Sequence, residues 1–197
     1  LTGTIVGASW TTSGKYGKAL SFNGTSSYVD LGNPVSLQLT GSMTLSAWVN
    51  AAANPTGDGQ IIAKSNSTAG WQLKTRLTSG THTFGTAVSS NSSSRTQRNG
   101  TTVRSLGTWY HVASVYNATT QTLDIYVNGV LDDGSVLNAT NPRGSGFATH
   151  FFVGGDTNDA TTEPFNGTID DPRVYNRALT PAEVKQLYNL GTVTIRQ

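Results

Sequence analysis

Few side chains in this sequence are of the types that carry out covalent chemistry. Of 11 acidic residues in 197, only Glu163 and Glu183 are glutamates. Glycoside hydrolysis needs two carboxylates flanking the scissile bond, ~5–9.5 Å apart. Glu163 sits in a loop before a proline, and Glu183 falls in the first turn of a helical pattern. Asp132-Asp133 and Asp170-Asp171 are adjacent pairs, and neighbours on a strand point to opposite faces, so neither pair converges on one bond. His82, His111 and His150 lie on separate segments without H-x-H or HExxH spacing. His111 belongs to an apolar run and reads as a core or second-layer residue. No nucleophile-elbow motif accompanies any serine. The chain has no cysteine, which excludes disulfides, thiolate zinc sites and cysteine nucleophiles. The expectation is a protein that binds and does not catalyse.

Binding chemistry is better represented. A sugar offers an apolar ring face to an aromatic side chain and its hydroxyls to planar polar groups. In Trp71 to Leu77, if Leu73 and Leu77 face the core, then Gln72, Lys74 and Arg76 face outward. In Leu123 to Val127 the same rule turns Asp124 and Tyr126 outward, and in Thr44 to Val49 it turns Ser46 and Trp48 outward. Trp71 opens its strand and is placed at a rim. Trp71, Lys74, Arg76 and Tyr126 are therefore the candidate ligand-binding residues, with Lys74, Arg76 and Tyr126 sharing one sheet face with Trp48. Trp48 and Trp109 read as second-layer packing, and Arg95 and Arg98 as solubilising charges in a Ser-rich loop.

The elements that must position these groups are strands. Alternation recurs at Thr44–Val49, Trp71–Leu77, Thr83–Val88, Tyr110–Tyr116 and Leu123–Val127, then at Phe151–Val153 and Ile169–Tyr175. Asn128-Gly129 predicts a tight hairpin returning through Val130-Leu131. Short strands bounded by Gly, Asn and Pro predict an antiparallel sandwich. One helix is predicted: Thr180 as N-cap, Pro181 at its first position, Glu183 completing a capping box, and Gly191 as its stop. Ser89–Ser94 and Asn138–Gly146 read as loops. The net charge is +2 with 12% charged residues, which excludes a nucleic-acid-binding surface. No apolar run approaches the ~18 residues of a membrane span, and the first residues do not read as a signal peptide. Sequons occur at Asn23, Asn66, Asn91, Asn99, Asn117, Asn138 and Asn166. A composition rich in Gly, Ser, Thr and Asn leans towards an extracellular or cell-surface location.

Gly17-Lys18-Ala19-Leu20-Ser21-Phe22-Asn23-Gly24, followed by Tyr28-Val29, resembles the opening signature of laminin-G-like jelly-roll domains of the concanavalin A-like superfamily. The resemblance continues through Met43–Val49, Trp109–Ala113, Leu123–Gly129, Phe165–Asp171 and Tyr175–Leu179, and covers about Thr4 to Gly191. It implies an all-β, two-sheet antiparallel jelly-roll sandwich with one short C-terminal helix. It also implies a frequent structural calcium ion and attachment to secreted or surface proteins that bind glycans or other proteins. The glucanases of that superfamily carry Glu-x-Asp-x-x-Glu on one strand, which this chain lacks. Asn23-Gly24 and Asp170 lie in two blocks that approach each other in such domains, so Asp170, with Asn23 and carbonyls near Gly24, is the expected Ca2+ site. Asp156-Thr157-Asn158-Asp159 reads instead as a solvated loop. Pro172 should occupy an edge, a strand start or a bulge.

The expected organisation is one domain over 1–191 and a strand-like tail over 192–197. The family's usual opening strand would pair near Ile169–Tyr175. Its absence leaves an edge that the alternating tail, Thr192 to Arg196, would fill in its own copy or a neighbour's. The expected function is a non-catalytic carbohydrate-binding module, with a glycan or surface protein as partner. The alternative is an adhesive or filament subunit that self-associates through the open edge.

Overall fold

The computed structural model describes residues 1–65, 69–91, 94–133, 150–155 and 163–190. Within them the alternating segments pair into two antiparallel sheets of seven strands. The first sheet contains β1 (Thr4–Val6), β4 (Tyr28–Asp30), β6 (Gly59–Ser65), β7 (Gly70–Thr78), β8 (Thr81–Asn91), β9 (Ser94–Asn99) and β13 (Phe152–Val153), in the order β1-β4-β13-β6-β7-β8-β9. The second contains β2 (Ser9–Thr11), β3 (Ala19–Asn23), β5 (Met43–Ala51), β10 (Trp109–Asn117), β11 (Thr122–Val127), β12 (Val130–Leu131) and β14 (Asn166–Tyr175), in the order β12-β11-β10-β5-β14-β3-β2. Tyr126 pairs with Leu131 across the Asn128-Gly129 hairpin, where both turn residues take the positive φ that a two-residue turn of this hand requires.

Between the sheets Leu45, Ala47, Val49, Ile62, Trp71, Leu73, Phe84, Val112, Leu123 and Ile125 form the core. A smaller cluster lies on the outer face of the second sheet, where helix α1 (Pro181–Asn189) packs Val184 against Ala113, Val115 and Tyr126. The helix begins as its sequence predicts. The Thr180 side chain accepts from the Glu183 backbone N–H, and the Glu183 side chain accepts from the Thr180 N–H. Also beneath α1, Tyr188 stacks on Trp48 at 5.6 Å, and His111 meets the same indole at 5.4 Å. Burial is the chief influence that lowers the His111 imidazole to about 4. Trp48 and His111 are thus second-layer residues, as expected.

Two corrections concern strands. Ser89–Asn91 continues β8, and β9 follows where a polar loop was expected; each backbone finds its ladder partners in the other. Without the family's opening strand, a long open edge was expected near Ile169–Tyr175. Instead, Gly167–Ile169 pair with both β3 and β5, and Asp170 and Arg173–Tyr175 pair with β5 alone. The register shifts between Asp170 and Arg173, so Pro172 lies at a bulge. The 192–197 tail, Gly191, and the Asn138–Gly146 and Asp156–Asp159 loops lie outside the described residues.

Candidate functional site

On the outer face of the first sheet, strand β7 presents Gln72, Lys74 and Arg76. Its inward set, Trp71 and Leu73, is committed to the core, so a charged side chain on the opposite set must find partners there. Lys74 is 1% exposed and pairs across the ladder with Gln60. Its ammonium lies 2.6 Å from Asp58, at the entry to β6. Arg76 donates from Nη1 to both Asp58 carboxylate oxygens at 2.9 Å. Burial alone would raise the Asp58 carboxyl, but the Lys74 ammonium and Arg76 guanidinium together outweigh it and hold it below the usual carboxylate range. For Lys74, burial is the largest influence and lowers it, Arg95 adds to that, and Asp58 and Glu163 oppose. Next in the layer, Gln60 Nε2 donates to Glu163 Oε2 at 2.5 Å, and Arg95 Nη2 donates to Gln72 Oε1 at 2.9 Å. Gln60 Oε1 is buried without a hydrogen-bond partner.

This layer adjoins a cleft of about 520 Å³ at one end of the sandwich, lined by residues 53–58, Gly24, Glu163, Pro164 and Asn166. The Asn23 turn shapes one wall. Asn23 Oδ1 accepts from the backbone N–H groups of Thr25, Ser26 and Ser27 at 2.9–3.2 Å. Gly24 takes φ +73°, and a Cβ there would lie 2.6 Å from Asn166. Asn54, Thr56 and Asn166 supply amide and hydroxyl groups, and Pro55 and Pro164 supply apolar surface. The charges around Asp58 are internally paired. The cleft can therefore hydrogen-bond a neutral, hydroxyl-rich ligand, and an ionised Asp58 is unsuited to donate a proton to a leaving group.

The family model described as the concanavalin A-like lectin/glucanases superfamily matches residues 23–185. The chain belongs to that superfamily. Among solved structures, this concanavalin A-like domain is similar to domain 4 of an extracellular arabinanase from Geobacillus stearothermophilus, solved in complex with arabinotriose. The identity is 23% and the TM-score 0.69, over 94% of this chain and 87% of that one. The binding domain of Paraclostridial Mosquitocidal Protein 1 matches at 15% identity and TM-score 0.75, over 95% of this chain and 46% of that one. The binding domain of botulinum neurotoxin DC, in complex with rat synaptotagmin II, matches at 15% identity and TM-score 0.68, over 96% and 47%. The chain thus spans about half the length of the two toxin domains. No curated protein matches its sequence.

The structure brings only part of the expected ligand set together in the concanavalin A-like domain. Lys74 and Arg76 share the outer face of the first sheet through Asp58. Trp71 is not at a rim: it is 1% exposed and packs on Phe151 at 5.6 Å, because the parity that turns Leu73 inward turns Trp71 inward as well. Tyr126 belongs to the second sheet, buried beneath α1, so it cannot share a face with Lys74. Period-two alternation tells which way a side chain points from its own strand but not which sheet holds that strand. The expected calcium ligands do not converge either. Asn23 pairs with Asn166, while Leu20 pairs with Ile169, so Asp170 sits four ladder positions from Asn23, roughly 13 Å at ~3.3 Å per residue. Asn23 Oδ1 is taken up by its own turn, and Asp170 Oδ2 accepts from the Tyr16 N–H at 2.9 Å. These residues do not fit a calcium ion, and the described residues contain no cluster of three His, Asp or Glu side chains able to hold a metal. Asp58, Gln60, Glu163 and Arg95 are the additions. The signal for Asp58 was indirect: a lysine on a strand buried on both faces requires a counter-charge.

Proposed function

We propose that the chain is a non-catalytic, extracellular carbohydrate-binding module that takes a neutral oligosaccharide into the cleft between residues 53–58 and Glu163–Asn166. The observation that carries this reading is the charge-compensated layer of Asp58, Lys74 and Arg76 beside a cleft edged with amides and hydroxyls. Binding groups held by buried partners lose little entropy when a ligand arrives. Lys74 and Arg76 act through Asp58, which lines the cleft, as positioning residues. The similar arabinanase domain was solved with arabinotriose, which makes that trisaccharide the first probe. Isothermal titration would compare arabinotriose with a panel of neutral oligosaccharides, using the native chain and the Asn54→Ala and Glu163→Gln variants. The expected result is saturable binding by the native chain, weakened about tenfold or more in both variants, with melting temperature unchanged in Asn54→Ala. Native protein that binds nothing in the panel, or variants that bind as the native chain does, would overturn the assignment.

A further inference from the structure

We propose that Trp10, with Lys18, forms a second saccharide-binding subsite on the edge of the sandwich, an inference that rests on the carbohydrate reading above. Trp10 is 64% exposed and is the one aromatic residue classed as exposed among those described. Trp48 is enclosed by Tyr16, Tyr188 and Lys15, and Trp71 lies against Phe151. Strand β2 closes one edge of the second sheet and pairs Trp10 with Leu20 of β3. The indole therefore stands at the margin of the apolar interior and forms a wall of a separate cleft of about 230 Å³. Leu20, Phe22 and Val153 belong to its apolar part, while Lys18, Asp170, Asp171 and Pro172 line its polar side.

A second observation points to the same place. Asp171 takes φ +48°, a left-handed conformation that costs a residue with a Cβ and that persists where the surroundings enforce it, often at functional positions. It lies at the bulge between Asp170 and Arg173. Arg173 holds its carboxylate from Nε at 2.9 Å and from Nη2 at 2.8 Å. The carboxylate is thereby committed to Arg173, and Asp171 contributes to the cleft as part of the bulge that shapes its wall. Across the cleft the exposed Lys18 supplies donors. A flat apolar ring beside a mobile donor matches a single sugar ring, whose C–H face would stack on the indole while its hydroxyls accept from Lys18. The volume equals roughly eight waters at ~30 Å³ each, room for one ring.

The test follows the indole N–H resonances of the ¹⁵N-labelled native chain during titration with arabinotriose and the same oligosaccharide panel. The Trp10 signal is assigned by its loss in Trp10→Ala, and the Asn54 side-chain amide reports the first cleft. The expected result is a saturable shift of the Trp10 signal that persists in Asn54→Ala. Trp10→Ala should lose this event, and Trp10→Phe should keep it in weakened form, all at unchanged melting temperature. Shifts at Asn54 with none at Trp10 would overturn the subsite and leave the function proposed above intact. A shift at Trp10 alone would support the subsite and overturn the first cleft. Silence at both reporters would overturn both. A Trp10 signal moved by apolar peptides and not by any saccharide would make this edge a protein contact and also refute the subsite.

Discussion

Replacing Asp58 by asparagine should be among the most damaging single changes in the first sheet, although Asp58 lies outside the apolar core. The Lys74 ammonium is 1% exposed and 2.6 Å from the Asp58 carboxylate. Removing one partner of a buried ion pair leaves an uncompensated charge, at about 3–5 kcal/mol. Arg76 keeps 30% exposure and can turn to water, so the penalty belongs mainly to Lys74. For a domain of 197 residues, about 2–4 °C of melting temperature accompanies each kcal/mol, which places the loss at roughly 6–20 °C. Lys74→Met should cost less, about 1–2 kcal/mol, because Arg76 still serves both Asp58 oxygens. The double variant should then cost clearly less than the sum. The sign with pH follows from the depressed Asp58 carboxyl. Its stabilisation is complete above the ordinary carboxylate value of ~3.9 and is lost as pH falls through the lower folded value. The gap between native and Asp58→Asn should therefore narrow below about pH 4. Urea unfolding of the four proteins at pH 7 and pH 3 measures all of this. An Asp58→Asn cost below about 1 kcal/mol, or strict additivity in the double variant, would refute the reasoning.

Three further outcomes are expected. His111, lowered to about 4 by burial, stays neutral in the fold but protonates near 6.5 when unfolded. Stability should therefore fall as pH drops from 6.5 to about 4, by on the order of 3 kcal/mol. A His111→Gln chain should have a flatter melting profile over that window, and equal slopes in the two proteins would contradict the assignment. Thr180→Ala removes the N-cap of α1 and should cost about 1 kcal/mol, read as a shift in the urea midpoint with unchanged slope. Asp170→Ala should lower the melting temperature equally in EDTA and in millimolar calcium, because Asp170 accepts from a backbone N–H; a calcium-dependent shift abolished by this change would restore the metal assignment.

The helix and most strands were legible because their signals are local. The Thr180-Pro181-Glu183 cap and the Asn128-Gly129 hairpin dictate their geometry within a few residues. Strand β6 escaped notice because Ile61, Ile62 and Ala63 run consecutively across a register shift between Gln60 and Ile62, which erases alternation. Strand β9 escaped because Ser-Arg-Thr-Gln-Arg-Asn has no apolar member. The site was legible only in fragments. Lys74 and Arg76 follow from parity on β7, but their counter-ion comes from another strand's entry, and no periodicity encodes which aspartate that is. Asn23 and Asp170 failed as a pair because proximity of two strands does not fix the register that aligns their residues.

The double burial of β5 and β7 constrains how this domain can change. Thr44, Ser46 and Trp48 are as enclosed on one side of β5 as Leu45, Ala47 and Val49 are on the other. On β7, Trp71 and Leu73 oppose Lys74 in the same way. A strand with a solvated face can absorb drift there; these two have no such reserve. A one-residue insertion in β7 would carry Lys74 into the apolar interior and an indole into the ion-pair layer. New binding preferences must therefore arise in the stretch between β5 and β6, in the Asn23 turn or around Trp10. A randomised library confined to Asn54–Gly57 should yield mostly folded proteins, while one of equal size spread over Gln72–Arg76 should yield few.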